Sequence, residues 1–222
     1  MDTVFFVFEL IGVVAFALSG AMRAMKCDMD ILGVSVLAIT TALGGGFLRD
    51  CLLGNTPPVN LLNPFPALLS IGVAIFAFLP FMRRLLFHTT KVHELLMLIA
   101  DSIGLGVFTV TGVSICFSLY ERPALFMTVL LGTITGVGGG VMRDVMSRRK
   151  PYIFVKHFYA SAAIIGATVC ALLFPYIGQL FAMVVGIVLI ISLRLLAAAF
   201  HWRLPKAEEL TENEERETVT TK

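Results

Sequence analysis

Charge is the scarcest thing in this sequence. Only 14% of its 222 residues are Asp, Glu, Lys or Arg, whereas 58% are hydrophobic; soluble globular domains average roughly 25% and 45–50%. A soluble fold cannot hide that much apolar surface, because even a ~300-residue domain buries only about 75% of what its unfolded chain exposes. The chain is therefore read as an all-α integral membrane protein. Metal and disulfide patterns are missing too: Cys27, Cys51, Cys116 and Cys170 show no CxxC or CxxH spacing, and the four histidines form no ligand set. There is no nucleophile and base motif, no phosphate loop and no loop long enough for a catalytic domain, so an enzyme is not expected. Neither is a cofactor, a nucleic-acid partner or a resident metal.

What the sequence has is apolar runs of the length a helix needs to cross a bilayer, ~20 residues. Seven are present, at about 4–22, 31–53, 66–82, 95–116, 124–146, 157–174 and 177–199. The first lacks a basic leader and its pattern recurs later in the chain, so it is read as a span rather than a cleaved signal. Cations alternate between the connections: Arg23 and Lys26, then Arg83, Arg84 and Lys91, then Arg148, Arg149 and Lys150, then Arg203 and Lys206 fall on one side, with only Arg122 in the short loops of the other. The positive-inside rule then puts the N-terminus outside and the C-terminus in the cytoplasm. Residues 203–222 hold ten of the 32 charged side chains and are expected to form a solvated, disordered tail.

The chain also repeats itself. Gly44-Gly45-Gly46-Phe47-Leu48-Arg49-Asp50 returns 94 positions later as Gly138-Gly139-Gly140-Val141-Met142-Arg143-Asp144. At that offset Ala38, Ala42 and Gly46 fall on Gly132, Gly136 and Gly140, Pro57 on Pro151, and Gly72 on Gly166. At an offset of 92, Glu9, Gly12, Phe16 and Gly20 fall on Asp101, Gly104, Phe108 and Gly112. Residues 1–94 and 95–175 are thus two copies of a three-helix unit, followed by a seventh helix at 176–202. Three spans per copy is odd, so the second copy enters the membrane from the opposite side, an inverted-topology arrangement common in proteins that move solutes.

Three glycines in a row cost roughly 0.8–1.0 kcal/mol each against alanine on an aqueous helix scale, and the triplets predict a kink or break in spans 2 and 5. Carbonyls freed there survive at membrane depth only against protein or water and can coordinate a cation. The competing reading is close packing, with Gly132, Gly136 and Gly140 forming a small-xxx-small ladder. Apolar residues continue past each Arg-Asp pair, which places the pairs inside the membrane boundary, where ions are functional candidates by default. Neighbouring residues on a helix diverge by about 100°. Partners are therefore expected from other spans, Glu9 for Arg49 and Asp101 for Arg143, as structural braces or as gates. Ser19, Thr40, Thr41, Thr109, Thr111, Thr133 and Thr135 cluster on spans 1, 2, 4 and 5, either bonding their own helix backbone or lining an aqueous path. From these features the ion path is expected to involve Gly44 to Gly46, Gly138 to Gly140, Asp50, Asp144, Ser19, Thr41, Thr111 and Thr135.

With GGG-x-x-RD doubled on spans 2 and 5, and AFALSG on span 1 answered by VFTVTG on span 4, the sequence resembles the prokaryotic TRIC family, homologues of the trimeric intracellular cation channels that are also labelled a glycine-transporter-domain family. The resemblance implies a homotrimer of seven-helix protomers in the membrane lipid of a prokaryotic inner membrane. Each protomer would carry its own pore for monovalent cations, chiefly potassium, beside kinked helices 2 and 5. The lysine-centred phosphoinositide motif of the animal members has no evident equivalent here. The alternative function is a secondary carrier for glycine or another small zwitterion.

Overall fold

The computed structural model describes residues 3–155 and 158–202. All regular structure among the described residues is helical: α1 (Thr3–Lys26), α2 (Ile31–Leu52), α3 (Val59–Leu62), α4 (Phe65–Phe78), α5 (Pro80–Leu86), α6 (Thr90–Leu119), α7 (Leu125–Met146), α8 (Tyr152–Val155), α9 (Tyr159–Ile177) and α10 (Gln179–Ala199). Six are long and apolar enough to span a membrane alone, and α4 with α5 makes a seventh span bent by 81°. The tail at 203–222 lies outside the described residues. Side chains start two of the helices: Asp30 accepts from the Gly33 amide at 2.7 Å, and Thr89 from that of Val92 at 3.2 Å, the capping that satisfies otherwise orphaned N–H groups.

The core is built where the two copies cross. Helix α1 packs on α2 and α4 just as α6 packs on α7 and α9, and the copies meet through α2 against α7 and α1 against α6. The contacts are reciprocal residue by residue. A methyl added to Gly45 would land on the carbonyl oxygen of Thr135, and one on Gly139 on that of Thr41. In the second crossing Phe16 fills the notch left by Gly104 while Phe108 lies against Gly12, and the two rings sit 5.3 Å apart. Within each copy, Gly20 faces the hydroxyl of Thr41 and Gly112 that of Thr135. Helix α10 stands outside this symmetry and packs on α6 and α9 of the second copy.

Three expectations change. The glycine triplets break neither helix: α2 and α7 run without interruption through Gly44–Gly46 and Gly138–Gly140. In a bilayer every open backbone bond lacks a water to replace it, and the close crossing that glycine permits repays its poor propensity. No carbonyl is freed there for an ion, and packing is the role these residues visibly serve. Span 3 is not one straight helix, because Pro80 has no N–H to continue α4, and Leu79 before it is extended at ψ 140°. Arg23 does not lie in a loop: α1 continues to Lys26, and Arg23 is 2% exposed.

Candidate functional site: two charged clusters at opposite ends of the crossing

Each Arg-Asp pair sits one turn beyond the glycine crossing, and in each the aspartate is doubly engaged. Arg49 donates from Nε and Nη2 to Oδ1 of Asp50 at 2.8 and 2.7 Å, and Arg143 donates from Nε to Oδ1 of Asp144 at 2.9 Å. The other oxygen accepts from the first amide of the short helix that follows, Val59 for Asp50 at 3.0 Å and Tyr152 for Asp144 at 2.9 Å. The divergence of neighbouring side chains is overcome because the long arginine stem curls back onto its own neighbour.

Beyond that shared motif the two ends differ. At the Arg143 end, Nη1 of Arg143 donates to Ser19 and to Asp101, both at 2.6 Å. The second oxygen of Asp101 accepts from Arg194 of α10 at 2.8 Å. Arg23 donates to the Tyr152 hydroxyl, lies over its ring, and has its Nε 3.8 Å from Asp144; Arg194 stacks over Tyr159 at 4.5 Å. Every member of this network is buried or partly buried, and Arg143 is wholly enclosed. At the Arg49 end a cavity of about 430 Å³ opens instead, bordered by Glu9, Arg49, Asp50, Thr111 and Phe108 among others. Glu9 is only partly buried there.

The family model described as Glycine transporter matches residues 6–81 and 98–175. The UPF0126 inner membrane protein YadS of Escherichia coli K12 is 33% identical over 199 residues, 89% of this chain and 93% of that protein. The UPF0126 membrane protein YvgT of Bacillus subtilis is 34% identical, over 89% of this chain and 93% of its own. Among solved structures, one described as showing the structural basis for conductance through TRIC cation channels superposes with a TM-score of 0.80 at 37% identity, covering 92% of this chain and 98% of that one. A prokaryotic TRIC channel crystallised in 0.5 M KCl gives 0.83 at 30%, covering 92% and 100%. The chain belongs to the prokaryotic TRIC family. The members so described are channels and not enzymes.

In this TRIC protein the residues singled out from sequence fall into three groups. Asp101, Arg143, Asp144 and Ser19 come together at one end. Arg49, Asp50, Glu9 and Thr111 border the cavity at the other, but Glu9 and Arg49 form no ion pair; Asp50 already occupies the guanidinium, and the intervening space separates them. Gly44 to Gly46, Gly138 to Gly140, Thr41 and Thr135 form the packed centre. Thr41 and Thr135 bond their own helix, to Leu37 and Leu131 carbonyls at 2.6 Å each. The sequence reading missed Arg194 and the burial of Arg23. The signal for Arg194 was available: it is the one charged residue in the last apolar run.

Proposed function

We propose that this TRIC protein is a cation channel, with potassium as its chief permeant ion. It would act as a homotrimer in a prokaryotic cytoplasmic membrane, with the N-terminus outside and the C-terminus in the cytoplasm. One path runs through each protomer between the two copies, along α1, α2, α6 and α7. The observation that carries this reading is the pair of cavities flanking the crossing: about 430 Å³ beside Arg49, and about 260 Å³ beside Arg23 and Arg194. Phe16, Arg143 and the glycines of the crossing are buried, which supports a path closed at its centre in this conformation. Thr109, Thr111 and Thr133 support it, since their buried hydroxyls have no hydrogen-bond partner among the described residues, and such groups are normally met by water or an ion. Glu9 at the open end adds the negative potential that draws cations toward a cleft. Exposed Arg83, Arg84, Arg148 and Arg149 support the orientation.

The test is single-protein current in a planar bilayer under asymmetric potassium chloride. Unitary currents reversing near the potassium potential are expected. Electrical silence with saturable glycine uptake into liposomes of the same preparation would overturn the channel in favour of a carrier.

A further inference from the structure

Glu9 holds in the first copy the position that Asp101 holds in the second, but no arginine reaches it. Among the described residues none gives its carboxylate a hydrogen bond or an ion pair. Its charged neighbours on the wall of the cavity of about 430 Å³ are Arg49 and Asp50, and these are taken up with one another at 2.7 Å. The charged side chains of that lining therefore leave one negative charge over, on a partly buried acid at the edge of an apolar medium. A cation entering the cavity relieves it, and the rest of the wall decides which cation.

Four phenyl rings border the same space: Phe5, Phe108, Phe117 and Phe174. Phe108 is 7% exposed and rests on Phe16, and Phe117 and Phe174 stack 4.2 Å apart with their planes 3° from parallel. These rings are held before anything binds, so binding need not order them. A phenyl ring attracts a cation through its quadrupole but supplies no oxygen to replace lost water. A potassium ion stripped against such a wall loses hydration, whereas an ammonium ion with alkyl substituents has little water to lose and buries apolar surface on the rings. The volume suits a small molecule, for which sites measure roughly 300–1,000 Å³. We propose that this cavity binds one monovalent organic ammonium ion of about choline's size, its charge against Glu9 and its alkyl groups against the phenyl rings. Asn55, Ser118 and Gln179, the exposed part of the lining, keep the entrance polar and suit a hydroxyl on the same ligand.

Choline chloride titrated calorimetrically into the full chain in maltoside micelles, with sodium chloride holding the ionic strength constant, reads the binding without current. Saturation below about 10 mM is expected, and dimethylbutanol, choline's uncharged carbon analogue, should not bind. Glu9→Gln keeps the side chain's shape, removes its charge and should weaken choline about ten-fold, equivalent to about 1.4 kcal/mol. Phe174→Leu, at a partly buried ring, should weaken it about three-fold. Glu94→Gln removes the same charge beside the other cavity and should change nothing. The site is overturned by any of four results: no saturation below about 10 mM choline; equal binding of dimethylbutanol; unchanged affinity in Glu9→Gln; or heat from potassium chloride where choline gives none. A bound ammonium ion would also obstruct the ion path, a consequence that rests on the channel reading, whereas the binding does not. Currents without choline binding overturn the site alone, and choline binding without currents overturns the channel alone.

Discussion

Ser19 and Asp101 are bonded to Arg143, whereas their counterparts in the other copy, Thr111 and Glu9, stand back from Arg49 across a cavity of about 430 Å³. The glycine crossing between the copies makes the same contacts in both directions, so it cannot be the source of the difference. The source is what reaches the second copy alone. Arg194 arrives from α10, outside the repeat, and takes the free oxygen of Asp101. Arg23 adds a second cation where the other end has Ile115 on the cavity wall. A duplicated scaffold has been given two unlike ends by adding charge at one of them. The latched end is tightly bonded and basic with the smaller cavity beside it, and the open end has the larger cavity with Glu9 on its wall.

The comparison breaks most visibly at the arginines themselves. Arg143→Gln strands Asp144 and half of Asp101 in a buried site, and a loss of about 3–5 kcal/mol is expected. Arg49→Gln strands Asp50 alone, beside a cavity that water can enter, and should cost about 2 kcal/mol. Thermal melts of the two variants in one detergent give the difference; equal losses would mean the ends are energetically alike. Next come Gly45→Ala and Gly139→Ala. Each forces a methyl into a carbonyl oxygen of the opposing helix, and each should destabilise by about 3 kcal/mol. Here equality is the expectation, because the crossing is shared; size-exclusion profiles after heating would expose any inequality. Glu9→Gln should alter stability by less than about 0.5 kcal/mol while lowering potassium conductance about two-fold at low salt, an effect that fades as salt screens the charge. Conductance measured at two ionic strengths decides it. A last pair is Gly72 and Gly166, of which Gly72 gives the smallest effect of all. A methyl on Gly72 meets nothing within 4 Å, whereas on Gly166 it runs into Ile190 of α10. Gly72→Ala should stay within about 0.5 kcal/mol of the parent and Gly166→Ala lose about 1–2 kcal/mol, as read from paired melts.

Much of this was legible in the residues. The runs of apolar sequence marked the six helices that can span alone, and the doubled GGG-x-x-RD with its flanking glycines marked which helices correspond. Legibility failed where a residue's role depends on a neighbour far away in sequence. The propensity cost of Gly44 to Gly46 is visible locally, but the gain from meeting Thr135 and Gly138 across the crossing is not, so a break was expected where packing occurs. Glu9 and Asp101 are equivalent by position, yet only Asp101 has a seventh helix beside it. Arg23 looked like a loop cation because basic residues normally sit outside the membrane. Only the fold shows Asp144 and Tyr152 waiting for it. Pro80 was readable and should have divided span 3.

At the α2 and α7 crossing, glycine on one helix meets a backbone carbonyl on the other, with no side chain between them that could change rotamer. Such a joint leaves no slack, because backbone meets backbone, and it sets how closely the two helices lie. Arg49 and Arg143 each sit four residues beyond it, about 6 Å along the axis, and the inverted repeat directs them to opposite sides. Set at equal distances on either side of one contact, the two charged ends share a single ruler, so their difference lies in what surrounds them and not in where the crossing puts them.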